Sequence, residues 1–258
     1  MCRLSRMHQD HTARNLKIKS LEWMGLSGTI FTNHTMDIIN VKKPEELVKN
    51  ALTVIKETIK DAPELCRIAL SGGETPQKLY KKIAKDTSID FSKVEFYQVD
   101  ERYVNRYDKH SNYKMIANTL IRPLAGKVKG FNFFDTSRSI DRCVKNYIKD
   151  ISGIQFDLVL LGMGKDGHIA SIFPGDKEAI DSKEQALYTQ TDDFPIHDRV
   201  TLSLKKIKDA KHAIILLKGK AKKSILKDFL EKDVDVYELP AKVLLKKKKL
   251  TVIYSSKK

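Results

Sequence analysis

Phe156-Asp-Leu-Val-Leu-Leu-Gly-Met-Gly-Lys-Asp-Gly-His-Ile-Ala-Ser-Ile-Phe-Pro-Gly175 decides the fold and most of the chemistry of this chain. Residues 156–161 form an almost wholly apolar run of the length of a buried strand. Gly162, Gly164 and Gly167 follow, then His168. Glycines let a backbone approach a ligand closely, and free N–H groups at a helix start favour anions. Histidine takes and returns a proton near neutrality. A lone histidine is ordinarily a hydrogen-bonded structural residue; the flanking glycines, and Asp166 two positions before it, shift His168 toward catalysis. The spacing also matches the dinucleotide fingerprint G-x-G-x-x-G, which needs an acidic residue ending a second strand about 20 positions on. Asp181 and Glu184 lie near that distance, but their surroundings are polar and strandless, and Phe173-Pro174-Gly175 ends any helix after a couple of turns. The catalytic reading therefore ranks above the nicotinamide one.

Outward from this passage, strands and helices alternate. Strand runs are predicted at 36–41, 65–70, 94–100, 131–134, 156–161, 200–204, 213–217 and 250–254. Helices are predicted from Pro44 and over 76–85, 111–121, 140–149 and 221–230. Pro44 at a first helical position, acids in the first turn and the stripe Leu47, Val48, Ala51, Leu52, Ile55, Ile59 make the first helix the clearest. The pattern predicts an α/β fold, a mostly parallel sheet flanked by helices on both faces, in a single modified Rossmann-like domain over 36–258. Residues 1–35 lack sustained periodicity and are expected to form a poorly ordered N-terminal extension.

Composition narrows the classes. The chain has 258 residues and a formal net charge of +15. The excess is mostly lysine spread over predicted helix faces, with no nucleic-acid-binding signature, so it reads as a solvated surface that also steers anions, the cluster 246–249 included. We expect no nucleic-acid partner. No apolar run has membrane-spanning length, so no membrane is expected. Cys2, Cys66 and Cys143 form neither a disulfide framework nor a metal cluster, which suits a reducing, cytoplasmic setting.

Ligands in such folds bind beyond the carboxyl ends of strands. There the sequence offers Ser71-Gly72-Gly73-Glu74-Thr75-Pro76, read as a phosphate cradle in which Thr75 caps the helix begun by Pro76. It also offers Asp100-Glu101-Arg102, where Arg102 can hold a phosphate or an oxyanion and Asp100 a sugar hydroxyl. Ser111 caps the next helix and Asn112 reaches toward the cleft. Arg199 precedes a strand, and Lys222 heads a helix after Gly219.

Together these segments resemble the 6-phosphogluconolactonase family, in the wider group that includes glucosamine-6-phosphate deaminases. The resemblance rests on Leu70-Ser-Gly-Gly-Glu-Thr-Pro76, Val99-Asp-Glu-Arg-Tyr-Val104 with Ser111-Asn112, the passage 156–175, Asp198-Arg-Val-Thr-Leu-Ser203 and Gly219-Lys-Ala-Lys222. It runs from about Met36 to the C-terminus. Arg102, Asn112 and the run Ile169-Ala-Ser-Ile-Phe-Pro174 stand where deaminases usually carry tyrosine, tyrosine and Ala-Phe-Asn-Glu, and so favour the lactonase branch. Gln98 stands where the family often has tryptophan, and Ile172 where leucine is common.

The resemblance implies hydrolysis of 6-phospho-D-glucono-1,5-lactone in the oxidative pentose phosphate pathway, with neither metal nor cofactor. It implies His168 as general base, Asp166 as its orienter, and the 162–167 turn with Arg102 around the oxyanion. Phosphate would meet Ser71, Gly72, Gly73, Thr75, Arg199 and Lys222, with Asp100 and Asn112 nearer the sugar. The expected partner is the small-molecule lactone, bound by a monomer or weak homo-oligomer. The alternatives are a deaminase-type isomerase and a non-catalytic sugar-phosphate binder.

Overall fold

The computed structural model describes residues 35–257; the extension expected over 1–35 lies outside the described residues, save Thr35. The strands are β1 (Thr35–Val41), β2 (Cys66–Leu70), β3 (Val94–Gln98), β4 (Asp100–Arg102), β5 (Gly130–Asn132), β6 (Leu158–Leu161), β7 (Ala186–Gln190), β8 (Asp198–Leu202), β9 (His212–Lys218) and β10 (Lys249–Ser255). The α-helices are α1 (Pro44–Asp61), α2 (Glu74–Ile83), α3 (Asn112–Ile116), α4 (Ile140–Asp150), α5 (Lys177–Asp181), α6 (Leu204–Asp209) and α7 (Lys223–Glu231).

Seven strands pair in the order β1-β10-β9-β6-β2-β3-β5, every pairing parallel. Their central members read as continuous apolar runs because both faces are covered. In β9, Ala213, Ile215 and Leu217 enter one core, while Ile214 and Leu216 enter the other. The second core is closed by the predicted stripe of α1, with Leu47, Ala51, Ile55 and Ile59 buried, and by Leu79, Tyr80 and Ile83 of α2. The first is closed by Cys143 and Tyr147 of α4, Ile207 of α6, and Leu226 and Phe229 of α7. The expected α/β architecture is the observed one.

Four local expectations are corrected. The strand expected over 94–100 breaks at Val99, whose N–H donates to the Leu70 carbonyl (2.9 Å) while its carbonyl accepts from the Leu202 N–H (2.8 Å). Beyond that handover the chain joins a second, antiparallel sheet, β4-β8-β7. The strand expected over 200–204 belongs to this small sheet, and β7 lies in the segment read as strandless.

Third, no helix starts at His168. The chain makes a turn instead, with an isolated Ile169–Ile172 bridge, and Ala170 takes φ 53°. That left-handed conformation costs a non-glycine residue roughly 1–3 kcal/mol. Fourth, α2 begins at Glu74 with Gly73 as its N-cap at φ 107°, so Thr75 sits inside the helix and caps nothing.

Nor is every lysine solvated. Lys206 is buried and donates to the carbonyls of Ile151 and Ile154 (2.8 Å each) after α4. Lys247, within the cluster read as surface, is 2% exposed and donates to the carbonyls of Lys208 (2.9 Å) and Ala210 after α6. Both ammonium groups close helix C-termini that would otherwise leave carbonyls unpaired. Among the described residues no helix is long and apolar enough to cross a membrane.

Candidate active site

The carboxyl ends of β2, β3, β6 and β9 meet at one edge of the parallel sheet, where the small sheet and its connections close a cleft of about 640 Å³. Ten of the predicted residues line it: Ser71, Gly72, Asp100, Arg102, Asn112, Gly162, Gly164, Asp166, His168 and Lys222. Gly73, Thr75, Gly167 and Arg199 do not.

The cleft is organised around one pair. His168 Nδ1 lies 2.7 Å from Asp166 Oδ1 and 3.0 Å from Oδ2, and the His168 N–H also points at Oδ1 (3.3 Å). Burial alone pushes the Asp166 carboxyl up; interactions with His168, chiefly hydrogen bonds from its ring and backbone, outweigh it and hold the group below its usual value. An ionised carboxylate accepts only, so Nδ1 carries the proton and the Nε2 lone pair is left for chemistry. Gly164 makes the pair possible, since a Cβ there would stand 2.1 Å from Asp166 Oδ1 and 2.2 Å from His168 Nδ1. Its N–H donates to the His168 carbonyl (2.8 Å), tying the turn across its own mouth.

Gly167 serves packing instead. At φ 91° it admits Leu239, whose Cγ would lie 2.6 Å from an added Cβ, and its carbonyl accepts from the Ala241 N–H (3.1 Å).

On the β2 side, Ser71 Oγ is buried without a hydrogen-bond partner inside the protein, which is costly unless a ligand supplies one. Gly72 leaves room for Asn112, whose Oδ1 would be 1.8 Å from a Cβ at that position. The Asn112 side chain donates to the Asp100 carbonyl (2.9 Å). Asp100 is held by Ser171 Oγ at 2.7 Å, so the strained turn at Ala170 aims a hydroxyl at this carboxylate.

Glu101, the middle of the charged triplet, is structural. It is almost fully buried and accepts from the Asn112, Tyr113 and Arg102 N–H groups, the Gln98 amide and the Ser111 hydroxyl. Burial pushes its carboxyl up against the pull of those bonds.

Cations frame the cleft. Arg102 donates to the His110 carbonyl (2.6 Å). Lys222 donates to the Met163 carbonyl (2.5 Å), and burial lowers its ammonium pKa, partly offset by Asp166. Arg199 is opposite Arg102 in the β4–β8 register; it donates to the Ile196 carbonyl (3.0 Å), and its guanidinium lies over the Phe194 ring. Burial, then the neighbouring Arg102, lowers its pKa.

The sequence reading missed Met163, Lys165, Ala170, Asp193 and Phe194 in the lining. The first three sit inside the opening passage; Phe194 carries no motif and was discoverable only as an aromatic in a polar loop. Among the described residues no cluster of metal-ligating side chains occurs.

The family model for glucosamine-6-phosphate isomerases/6-phosphogluconolactonase matches residues 42–253. The chain belongs to this family. A probable 6-phosphogluconolactonase of Dictyostelium discoideum is 32% identical over 234 residues, covering 86% of this chain and 99% of the relative. The crystal structure of 6-phosphogluconolactonase from Thermotoga maritima superposes with a TM-score of 0.75 at 28% identity, covering 86% of this chain and all of that one. A monomeric glucosamine-6-phosphate deaminase reaches a TM-score of 0.73 at 18% identity, covering 84% of this chain and 96% of that one, a likeness of fold alone. Backbone shape therefore does not separate the two branches of the family. Side chains must, and Arg102 and Asn112, the positions the resemblance sets apart from the deaminases, both line the cleft.

Proposed function

We propose that the chain is a 6-phosphogluconolactonase, hydrolysing 6-phospho-D-glucono-1,5-lactone to 6-phospho-D-gluconate in the pentose phosphate pathway. The observation that carries this is the Asp166–His168 pair at 2.7 Å, its free Nε2 on a cleft lined by Arg102, Lys165 and Lys222. Nε2 takes a proton from water as its oxygen bonds to the lactone carbonyl carbon. The tetrahedral intermediate collapses with loss of the ring C–O bond, and the imidazolium returns the proton to the departing ring oxygen. Asp166 keeps the productive tautomer and stabilises the transient cation.

The N–H groups of Gly164 and Gly167 are spent inside the turn. Negative charge on the oxyanion and phosphate is therefore met by the cationic side chains of the cleft, with the orphan Ser71 hydroxyl as a further donor. Every one of these groups comes from a single chain, which fits a monomer or weak homo-oligomer. Free, buried Cys66 and Cys143 fit a cytoplasmic setting.

The test is lactone hydrolysis by purified protein, with the lactone generated in situ and product read by excess 6-phosphogluconate dehydrogenase against a no-protein blank. Acceleration above the blank is expected. A trace that overlays the blank sinks the reading, and ammonia release from glucosamine 6-phosphate would replace it with the deaminase.

A further inference from the structure

We propose that Phe194 is the wall of the cleft that distinguishes a closed sugar ring from its open-chain product; the identity of that ring rests on the lactonase reading above. Phe194 lies at the tip of the β7–β8 hairpin, in the connection 191–197. The connection is tied down at its base by the Thr191 N–H to the His197 carbonyl (3.2 Å) and by Arg199 Nε to the Ile196 carbonyl (3.0 Å). Above that base the Phe194 ring is held on three sides. The His168 imidazole meets it edge-on with centroids 5.6 Å apart, Phe173 lies at 5.9 Å, and the Arg199 guanidinium sits 5.7 Å from its centroid. Stacking on a guanidinium fixes an aromatic plane at little entropic cost. It also gives buried Arg199 a task other than the phosphate contact expected of it.

Phe194 nevertheless remains 37% exposed, and only Tyr107 exceeds it among the large hydrophobic residues described. Tyr107 lines no part of the cleft; Phe194 does. With three sides occupied, its uncovered surface faces the space where a ligand of His168 must lie.

A six-membered lactone presents a rigid face of C–H groups, and such a face packs against an aromatic ring without losing rotamer freedom. The ring-opened hydroxy acid keeps every polar group but has no rigid face; to make the same contact it must freeze several torsions. The polar and cationic groups of the cleft bind both forms. The wall therefore rewards only the closed one and helps the product leave.

The test is calorimetric titration of the full chain with two stable ligands, glucose 6-phosphate as the closed ring and 6-phosphogluconate as the open chain. Wild type, Phe194→Ala and Phe194→Tyr are compared. Phe194→Ala should weaken the ring ligand roughly fivefold to tenfold, the size of one aromatic contact, while leaving the open-chain ligand within about twofold. Phe194→Tyr should restore the difference. Equal losses for both ligands, no loss for either, or a wild type that binds only the open chain would each overturn the proposal. These are affinities, not turnover, so a chain that fails to hydrolyse lactone sinks the proposed function and leaves this comparison intact.

Discussion

Among the described residues two aspartate–histidine pairs occur, and the contrast between them lies in what encloses each. In both, a histidine Nδ1 meets an aspartate Oδ1, at 2.7 Å for His168–Asp166 and 3.2 Å for His197–Asp192. The first pair sits in a glycine turn beyond β6, its imidazole 20% exposed between two phenylalanine rings. The second lies in the connection of the β7–β8 hairpin, with its histidine 56% exposed and its aspartate fully open to water. An exposed pair in water is worth little, because solvent competes for both partners. What distinguishes the first is its enclosure and the absence of a side chain at Gly164.

The contrast can be broken most directly at the imidazole. His168→Ala should lower kcat roughly 10²–10⁴-fold in the coupled lactone assay; near-wild-type turnover in a folded variant would refute the assignment. Gly164→Ala puts a methyl group where the pair now is. The pair must part, so kcat should fall by about 10²-fold, the usual consequence of an ångström-scale misplacement, while circular dichroism stays native.

Asp166→Asn offers Nδ1 an amide in place of a carboxylate and frees the wrong tautomer; kcat should drop roughly 10–10²-fold with little change in KM. The same variant tests the carboxyl's lowered pKa. A folded pKa below the unfolded one stabilises the protein above the ordinary carboxylate value, and that contribution disappears as pH falls through the folded value. Asp166→Asn should therefore melt below wild type at pH 6, and the difference should shrink as the pH is taken progressively below the ordinary carboxylate value. The smallest effect sharpens the contrast from the other side: His197→Ala should leave kcat and KM within about twofold of wild type.

Much of this was readable in the chain. The apolar stripe of α1, the continuous runs of β9 and β10, and the glycine turn with Asp166 and His168 are local signals, and each stands where its pattern put it. The failures share a cause, which is dependence on partners distant in sequence. Val94 to Asp100 carries no breaker, and only pairing with Leu202 and Val200, some hundred positions on, splits β4 from β3. Gly167 looked like its neighbours in the turn, yet its φ and the closeness of Leu239 make it a packing glycine. For Arg199 the charge was visible and the Phe194 ring beneath its guanidinium was not. Lys247 lies inside a run of four lysines and differs from them only by ending up under α6.

The handover at Val99 has a consequence for how such a protein can change over generations. The Asp166–His168 pair follows a strand of the large parallel sheet, whereas Phe194 stands on the small antiparallel one, and the backbone of Val99 bonds to both sheets. On the roles proposed above, changes at the hairpin tip act on what the cleft admits, while the backbone turn that carries Asp166 and His168 belongs to the other sheet. Substrate range can drift in one module while the reaction itself is inherited unchanged in the other.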